Sequence, residues 1–289
     1  MRIHSAIDGR WSIRVSGHLV AEFANLITDV GLHGLQGLRV GQSAALGTDT
    51  AAPSNTDTSM AGAVYATSII DTTTSTSQSP LYRECNVTYL WEVGSISGGN
   101  FSSIGVYVSN GTLFSKARIL DALGQPTTIS VTPTDFIEAT YTQREYIATT
   151  DATFANFVVD GISYSGIIRP VTALSGPMAM PVAGAMQETI LAAYSEPLGA
   201  LPTSQSPNGL LGSVFGVLAA YANDYQRQAT YTFNRTQGVG NIKSLVMLRG
   251  QSSSLPYMHA MGIQFANPIP KPDTLQLAIT LGWSWGRAA

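Results

Sequence analysis

The sequence is short of charge and almost lacks cysteine, and each shortage excludes a class of function. Asp, Glu, Lys and Arg make up 11% of the 289 residues, less than half of the roughly 25% found in typical soluble domains. The net charge is -3 and the basic residues are scattered singly, so we do not expect nucleic-acid binding. Cys85 is the only cysteine, which excludes an intrachain disulfide and a cysteine-ligated zinc site. We expect Cys85 to be a small buried apolar residue.

Long apolar runs are also missing. The longest, residues 210–222, is interrupted by Gly212, Ser213 and Gly216 and is shorter than the roughly 20 residues that a bilayer-spanning helix needs. The first 15 residues lack the apolar segment of a secretion signal. We therefore expect no membrane insertion and no secretion, with synthesis in the cytoplasm.

Small neutral residues, chiefly Ser, Thr, Gly, Ala and Asn, take the place of the missing charges. A surface made of such groups costs little to desolvate, because no ion has to leave water. This composition suits a protein whose exposed faces become covered by other copies or by other proteins. A stable extracellular β domain that merely lacks charge is the alternative interpretation.

Alternation of apolar and polar residues, the signature of β-strands, recurs along the chain. It is clearest over residues 274–286, where large apolar groups occupy every second position. The sequence predicts a mainly β, antiparallel protein of the sandwich or jelly-roll type with a few short helices. We predict helices over residues 26–36, capped by Asn25, over 185–194 and over 208–225. We also predict a loop over 41–60 and a loop or mobile edge over 73–80.

One sequence pattern occurs twice, about 140 residues apart. Thr88-Tyr89 matches Thr230-Tyr231, and the stretch GNFSSI at 99–104 matches GNIKSL at 240–245. Each copy then reaches a proline-bearing turn and a closing strand, and we match the ends of these strands at Arg144 and Arg287. The pattern predicts a duplicated β unit, with residues 1–150 forming a docking segment (20–60) plus the first unit and residues 151–289 forming the second. The two units could pack as paired sandwiches or together as one larger domain. Chance similarity between Thr- and Gly-rich strands is the alternative.

Candidate chemical residues do not form a recognisable motif. The four histidines are far apart, no Gly-x-Ser-x-Gly elbow is present, and Gly238–Lys243 is typical of a hairpin turn rather than a phosphate loop. No spacing pairs the carboxylates as a glycosidase would need. We therefore predict no catalytic, cofactor-binding or metal-ligating residues and no enzyme activity. The residues considered are His4, His18, His33, His259, Asp49, Asp57, Asp71, Glu92, Asp121, Asp135 and Glu138.

Several stretches between residues 20 and 145 resemble virion structural proteins of tailed bacteriophages. Residues 25–32 (NLITDVGL), with 47–53 and 56–58, are similar to the N-terminal region of tail fibre or appendage proteins. Residues 99–106 (GNFSSIGV), 113–117 and 126–129 look like their middle region. The second half is similar only at 269–271 and 283–287.

The resemblance implies a virion protein that assembles with copies of itself and with other virion proteins in a tail fibre, baseplate or collar. It implies no cofactor. Two alternatives remain open at this point: a capsid decoration or head-fibre protein, and a protein that binds a host surface glycan through aromatics such as Trp91, Tyr107 or Tyr164.

Overall fold

The structure, a computed structural model, describes nine stretches of the chain: residues 2–34, 40–78, 81–108, 111–147, 152–171, 188–199, 207–220, 225–250 and 259–288. These residues form twenty strands and one short helix, so the predicted mainly β, antiparallel class is confirmed. Its finer description as a sandwich or jelly roll stays a prediction. No helix of the described part is long and apolar enough to cross a membrane.

The first group of elements, which we call the first unit, lies within residues 2–147. It comprises β1 (Arg2–Val15), β2 (His18–Ala24), β3 (Leu26–Ile27), α1 (Asp29–Gly34), β4 (Val40–Gly47), β5 (Val64–Tyr65), β6 (Ser68–Gln78), β7 (Leu81–Trp91), β8 (Gly99–Phe101), β9 (Ser103–Val108), β10 (Leu113–Arg118), β11 (Ile129–Val131) and β12 (Ile137–Ile147).

The second group, the second unit, lies within residues 152–287. It comprises β13 (Ala152–Val159), β14 (Ile162–Val171), β15 (Glu188–Tyr194), β16 (Leu210–Leu218), β17 (Gln226–Phe233), β18 (Gly240–Gly250), β19 (His259–Lys271) and β20 (Leu277–Arg287).

Antiparallel pairing arranges ten strands of the first unit in two rows, and β8 pairs separately with β11. β1 pairs with β2 and β12, β12 with β7, and β7 with β6. β3 pairs with β10, β10 with β9, β9 with β4, and β4 with β5. Asn25 alone separates β2 from β3, and two residues separate β5 from β6. The chain therefore passes from one row of strands to the other at these two short breaks.

The second unit repeats this pairing. β13 pairs with β14, β14 with β19, β19 with β18, β18 with β15, β15 with β16, β16 with β17, and β17 with β20. Here β14 and β16 are continuous where the first unit has its breaks. Consequently these strands join β1, β2, β6, β7 and β12 in a single 13-stranded sheet.

The register of the two units also matches. Thr88 lies opposite Thr140, and Thr230 lies opposite Thr280. Both threonine pairs are hydrogen-bonded through their hydroxyls at 2.9 Å. The two related β units predicted from the sequence are thus confirmed by strand pairing, whereas the domain boundary near residue 150 stays a prediction.

One detail of the predicted repeat is wrong. Arg144 lies opposite Glu84, whereas the residue that lies opposite the corresponding Gln226 is Ser284. Arg144 therefore corresponds to Ser284 and not to Arg287.

Strand β1 joins the two units. It runs antiparallel to β12 and parallel to β20, with Arg2–Ile7 paired to residues 282–287. The order β16-β17-β20-β1-β12-β7-β6 therefore lists equivalent strands symmetrically on both sides of β1. The strand equivalent to β1, which is β13, pairs with β14 and not with β20.

The core consists of the inward side chains of both units. Among the largest fully buried residues are Trp11, Trp91, Trp285, Tyr89, Tyr141, Tyr231, Phe114 and Phe233. Tyr89 corresponds to Tyr231 and Trp91 to Phe233 by register. The predicted one-sided closing strand is confirmed: Leu277, Ile279 and Leu281 of β20 are buried. Cys85 is fully buried, as predicted.

The predicted helix over 26–36 is shorter than expected and begins later. Leu26 and Ile27 pair with β10 as a strand, and the helix covers only Asp29–Gly34 among the described residues. Thr28, not Asn25, caps it, because its Oγ1 accepts a hydrogen bond from the Gly31 N–H at 2.9 Å. The Asn25 side chain instead donates to the Tyr141 hydroxyl at 3.1 Å.

The two other predicted helices are wrong where the structure describes them. Glu188–Tyr194 is β15, which pairs with a strand on each side. Residues 191–194 are all buried, so buried and exposed side chains do not alternate there as they do in a strand with one solvent-facing side. Leu210–Leu218 is β16, in which Val214 is buried while Phe215 and Val217 face outward. Residues 185–187 and 221–224 lie outside the described part.

The segments predicted as a loop over 41–60 and as a loop or mobile edge over 73–80 both contain strands, and the second of these is at the edge of its sheet. Residues 41–47 belong to β4, in which Ala44, Ala45 and Leu46 are fully buried. Residues 73–78 of the 73–80 segment belong to β6. Small residues were taken as loop formers, but a neighbouring strand fixes them in an extended conformation.

Candidate interaction surface

Three of the outer positions of β7 and β12, which alternate with the core residues, carry charged side chains. Glu84, Glu138 and Arg144 lie on this face, and Arg144 donates from Nε to Glu84 Oε2 at 2.8 Å. The Arg144 guanidinium also lies 4.7 Å from the centre of the Tyr82 ring. These charges are only half-buried, so this face is suited to contact with water.

The ion pair shifts the pKa values of both partners. Partial burial raises the pKa of Glu84, but hydrogen bonds from Arg144 and Asn86 outweigh it and hold the pKa below its ordinary value. Burial lowers the pKa of Arg144, but hydrogen bonds to Glu84 and Tyr146 outweigh it and raise the pKa. Both groups therefore remain charged at neutral pH.

The equivalent face of the second unit has no charge at any of these positions. By register, Glu84 is replaced by Gln226, Glu138 by Ala278 and Arg144 by Ser284. We call the outer positions of β17 and β20 the neutral face. It consists of Gln226, Gln228, Thr230, Thr232, Ala278, Thr280, Gly282 and Ser284.

Two large apolar side chains extend the neutral face at β16. Val217 lies opposite Thr230 and is 75% exposed, and Phe215, two residues earlier on the same side, is 66% exposed. Exposed apolar groups beside uncharged polar ones are typical of surfaces that another protein covers. Covering the neutral face would remove from water no ionised group of the outer positions of β16, β17 or β20. Covering its counterpart on β6, β7 and β12 would remove four, because Asp71 lies opposite Thr88 on the same face as Glu84, Glu138 and Arg144.

Two of the candidate carboxylates come together, which the sequence did not predict. Lys116 Nζ on β10 lies 3.2 Å from Asp49 Oδ1 and 3.3 Å from Asp57 Oδ2. The Lys116 side chain is 8% exposed. Asp49 also accepts hydrogen bonds from the Ala61 N–H at 2.9 Å and the Ser103 hydroxyl at 3.3 Å. The cluster fixes the 48–63 segment to the sheet, and the carboxylate oxygens of Asp49 and Asp57 take part in these contacts.

The remaining candidate carboxylates lie apart from one another. Asp121 and Asp135 accept backbone N–H bonds within their own turns, Glu92 follows β7, and Asp71 lies on β6. His18 and His33 are exposed, and the side chains of His4 and His259 lie outside the described part. Within the described ranges, no three His, Cys, Asp or Glu side chains are grouped so that they could hold a metal ion.

The aromatic residues considered for glycan binding are part of the core. Trp91, Tyr107 and Tyr164 are 0%, 4% and 8% exposed, and the Trp91 Nε1 donates to the Val64 carbonyl at 2.9 Å. They cannot stack against a sugar from solvent. The hairpin turn predicted at Gly238–Lys243 is wrong. β18 already begins at Gly240, the turn lies at residues 235–238, and the strands that it connects, β17 and β18, do not pair with each other.

The segment predicted to dock, residues 20–60, was considered too poor in apolar residues to form a core of its own. In the structure it contributes Phe23, Ile27, Leu32 and Leu46 to the shared core. The helix α1 of this segment contacts the second unit, because Trp285 Nε1 donates a hydrogen bond to the Leu32 carbonyl at 3.0 Å. The neutral face, in contrast, was missed, although aligning the two repeats position by position would have revealed the lost charges.

Comparison of the chain with protein-family models, with curated proteins and with solved structures found no match.

Proposed function

We propose that this chain is a structural subunit of a tailed-bacteriophage virion, without enzyme activity, which assembles with copies of itself and with other virion proteins in a tail fibre, baseplate or collar. The observation that carries the proposal is the difference between the two outer faces. Equivalent positions hold Glu84, Glu138 and Arg144 in the first unit and neutral residues in the second. One face is suited to solvent and the other to a neighbouring subunit.

The resemblance of residues 20–145 to virion proteins supports the same proposal. The stretches that carry it fall in β3, α1, β4, β9 and β10 and in the segments beside them. These elements build the framework of the first unit. The resemblance therefore concerns the scaffold, and the neutral face supplies the argument for assembly.

A graft of charge onto the neutral face tests the proposal. Gln226→Glu with Ser284→Arg places at the matching positions the ion pair that Glu84 and Arg144 form. Because the register is the same, the free energy of unfolding should change by less than about 1 kcal/mol. Incorporation into particles, measured by quantitative immunoblotting of purified virions, should fall strongly, because two charges would have to be desolvated.

The reverse change on the first unit is the matched control. Glu84→Gln with Arg144→Ser removes the natural ion pair and should leave incorporation unchanged. Equal incorporation of the graft and the wild type, or absence of the wild-type chain from particles, contradicts the proposal. Copy number in the same blots distinguishes a tail position, with a few to a few dozen copies, from a capsid position with hundreds.

A further inference from the structure

Among the described strands longer than three residues, three have one edge that no other described strand pairs with. They are β6 and β13, which end the 13-stranded sheet, and β2, which pairs only with β1. An unpaired edge presents a row of backbone N–H and C=O groups that can pair with another chain. Folded proteins usually interrupt or charge such edges to prevent this.

Two of the three edges are interrupted. The pairing of β13 with β14 shifts between Phe154 and Phe157, and Asn156 in this bulge has a positive φ of 63°. The pairing of β2 with β1 shifts at Ile13 and Arg14, and β2 carries the exposed Glu22. Bulges bend and twist an edge away from regular pairing, so both strands are protected against strand addition.

The edge of β6 is interrupted only near its start, where its register with β7 shifts between Ile69 and Asp71. From Asp71, opposite Thr88, to Gln78, opposite Leu81, it pairs with β7 without a register shift. After Asp71 this run contains only Thr, Ser and Gln, with no charge and no proline. Thr72, Thr73 and Ser75 are exposed. A regular, neutral, threonine-rich edge favours pairing with another strand.

We propose that the β6 edge pairs antiparallel with the β6 edge of a second copy of this chain, around a two-fold axis near the middle of residues 71–78. Two copies of a neutral strand meet without like-charge repulsion, which is the requirement for an isologous contact. The molecule already uses the threonine contacts that such pairing would make, since Thr88 with Thr140 and Thr230 with Thr280 are each hydrogen-bonded across antiparallel strands at 2.9 Å. This inference rests on the proposed function, because it identifies one contact of the assembling subunit.

Charge placed on the exposed side of β6 tests the pairing. The wild-type chain should have twice its mass of 30.5 kDa by light scattering coupled to size-exclusion chromatography. Thr73→Lys with Ser75→Lys, and separately Thr73→Glu with Ser75→Glu, should each reduce the mass to that of one chain. Mixing the two variants should restore the double mass, because opposite charges then meet at the axis.

Gln125→Lys with Thr128→Lys adds the same charge at exposed positions away from β6 and should leave the double mass unchanged. Circular dichroism checks that every variant is folded. A wild-type chain of single mass, or a double mass that survives both β6 variants, overturns the inference. The second result leaves the proposed function intact, whereas that function fails separately if the chain is absent from purified particles.

Discussion

Lys116 offers the sharpest test of how the first unit is held together. Lys116→Met keeps most of the apolar stem but removes the ammonium that lies 3.2 Å from Asp49 and 3.3 Å from Asp57. The two carboxylates remain in place because backbone N–H groups of Ala61 and Ser54 also bind them. The variant therefore leaves two partly buried negative charges without a cation.

The magnitude follows from the burial of the cluster. Breaking a fully buried ion pair costs about 3–5 kcal/mol. The Asp49 and Asp57 side chains are 19% and 25% exposed, so solvent screens part of the loss. We expect Lys116→Met to lower the free energy of unfolding by about 2–3 kcal/mol. Equilibrium unfolding in urea, followed by circular dichroism, measures it.

Two further variants show whether the reasoning holds. Lys243→Met is the matched control, because its ion pair with Glu196 spans 3.9 Å between side chains that are 43% and 53% exposed and should contribute no more than about 0.5 kcal/mol. Adding Asp49→Asn and Asp57→Asn to Lys116→Met removes the unpaired charges and should recover most of the loss. A loss at Lys116 no larger than at Lys243, or a triple variant weaker than the single one, would refute the assigned role.

Three other predictions concern single positions. Thr28→Ala should lower the free energy of unfolding by about 1–2 kcal/mol in urea titrations, because α1 loses its cap, while Thr28→Ser should keep most of it. Gly31→Ala should prevent soluble expression or lower the melting temperature sharply, because a Cβ would lie 2.1 Å from the Phe114 carbonyl oxygen. The folded-state pKa of Glu84 lies below its unfolded value, so its stabilisation is present above about pH 4.5 and is lost as the pH falls through the folded pKa. Stability measured from neutral to acidic pH should therefore fall less for Glu84→Gln than for the wild type, and equal slopes would contradict this.

Strands with one buried face could be predicted from the sequence. Leu277, Ile279 and Leu281 alternate with small residues, and this pattern alone indicated the closing strand and its buried side. β15 lacks alternation because it pairs on both sides and most of it is buried, so its apolar run was as compatible with a helix. Residues 73–80 were interpreted as a loop or a mobile edge, since nothing local in a Ser/Thr run shows that β7 pairs with it.

The neutral face is recognised from the register of the strands, which a linear sequence does not display. The repeat itself was visible at Thr88 and Thr230. The equivalence of Arg144 with Ser284 follows only from the strand pairing, in which Arg144 lies opposite Glu84 and Ser284 lies opposite Gln226. The Lys116 cluster could not be predicted, because Lys116 is almost 70 residues from Asp49 in the sequence and reaches it only when β10 pairs beside β9. Distances along the chain carry no signal for such contacts.

Strand β1 makes the two units depend on each other during folding. Residues 2–7 pair with residues 282–287, which are nearly the whole described length away, so this contact has to close a very long loop and should form late. A fragment ending near residue 150 could form most of the strand pairs of the first unit. The edge of Arg2–Ile7 that pairs with β20 would then be unpaired and could pair with other chains. Both units are therefore complete only once β20 has formed. A chain truncated before β20 should aggregate through residues 2–7 rather than through its cut end.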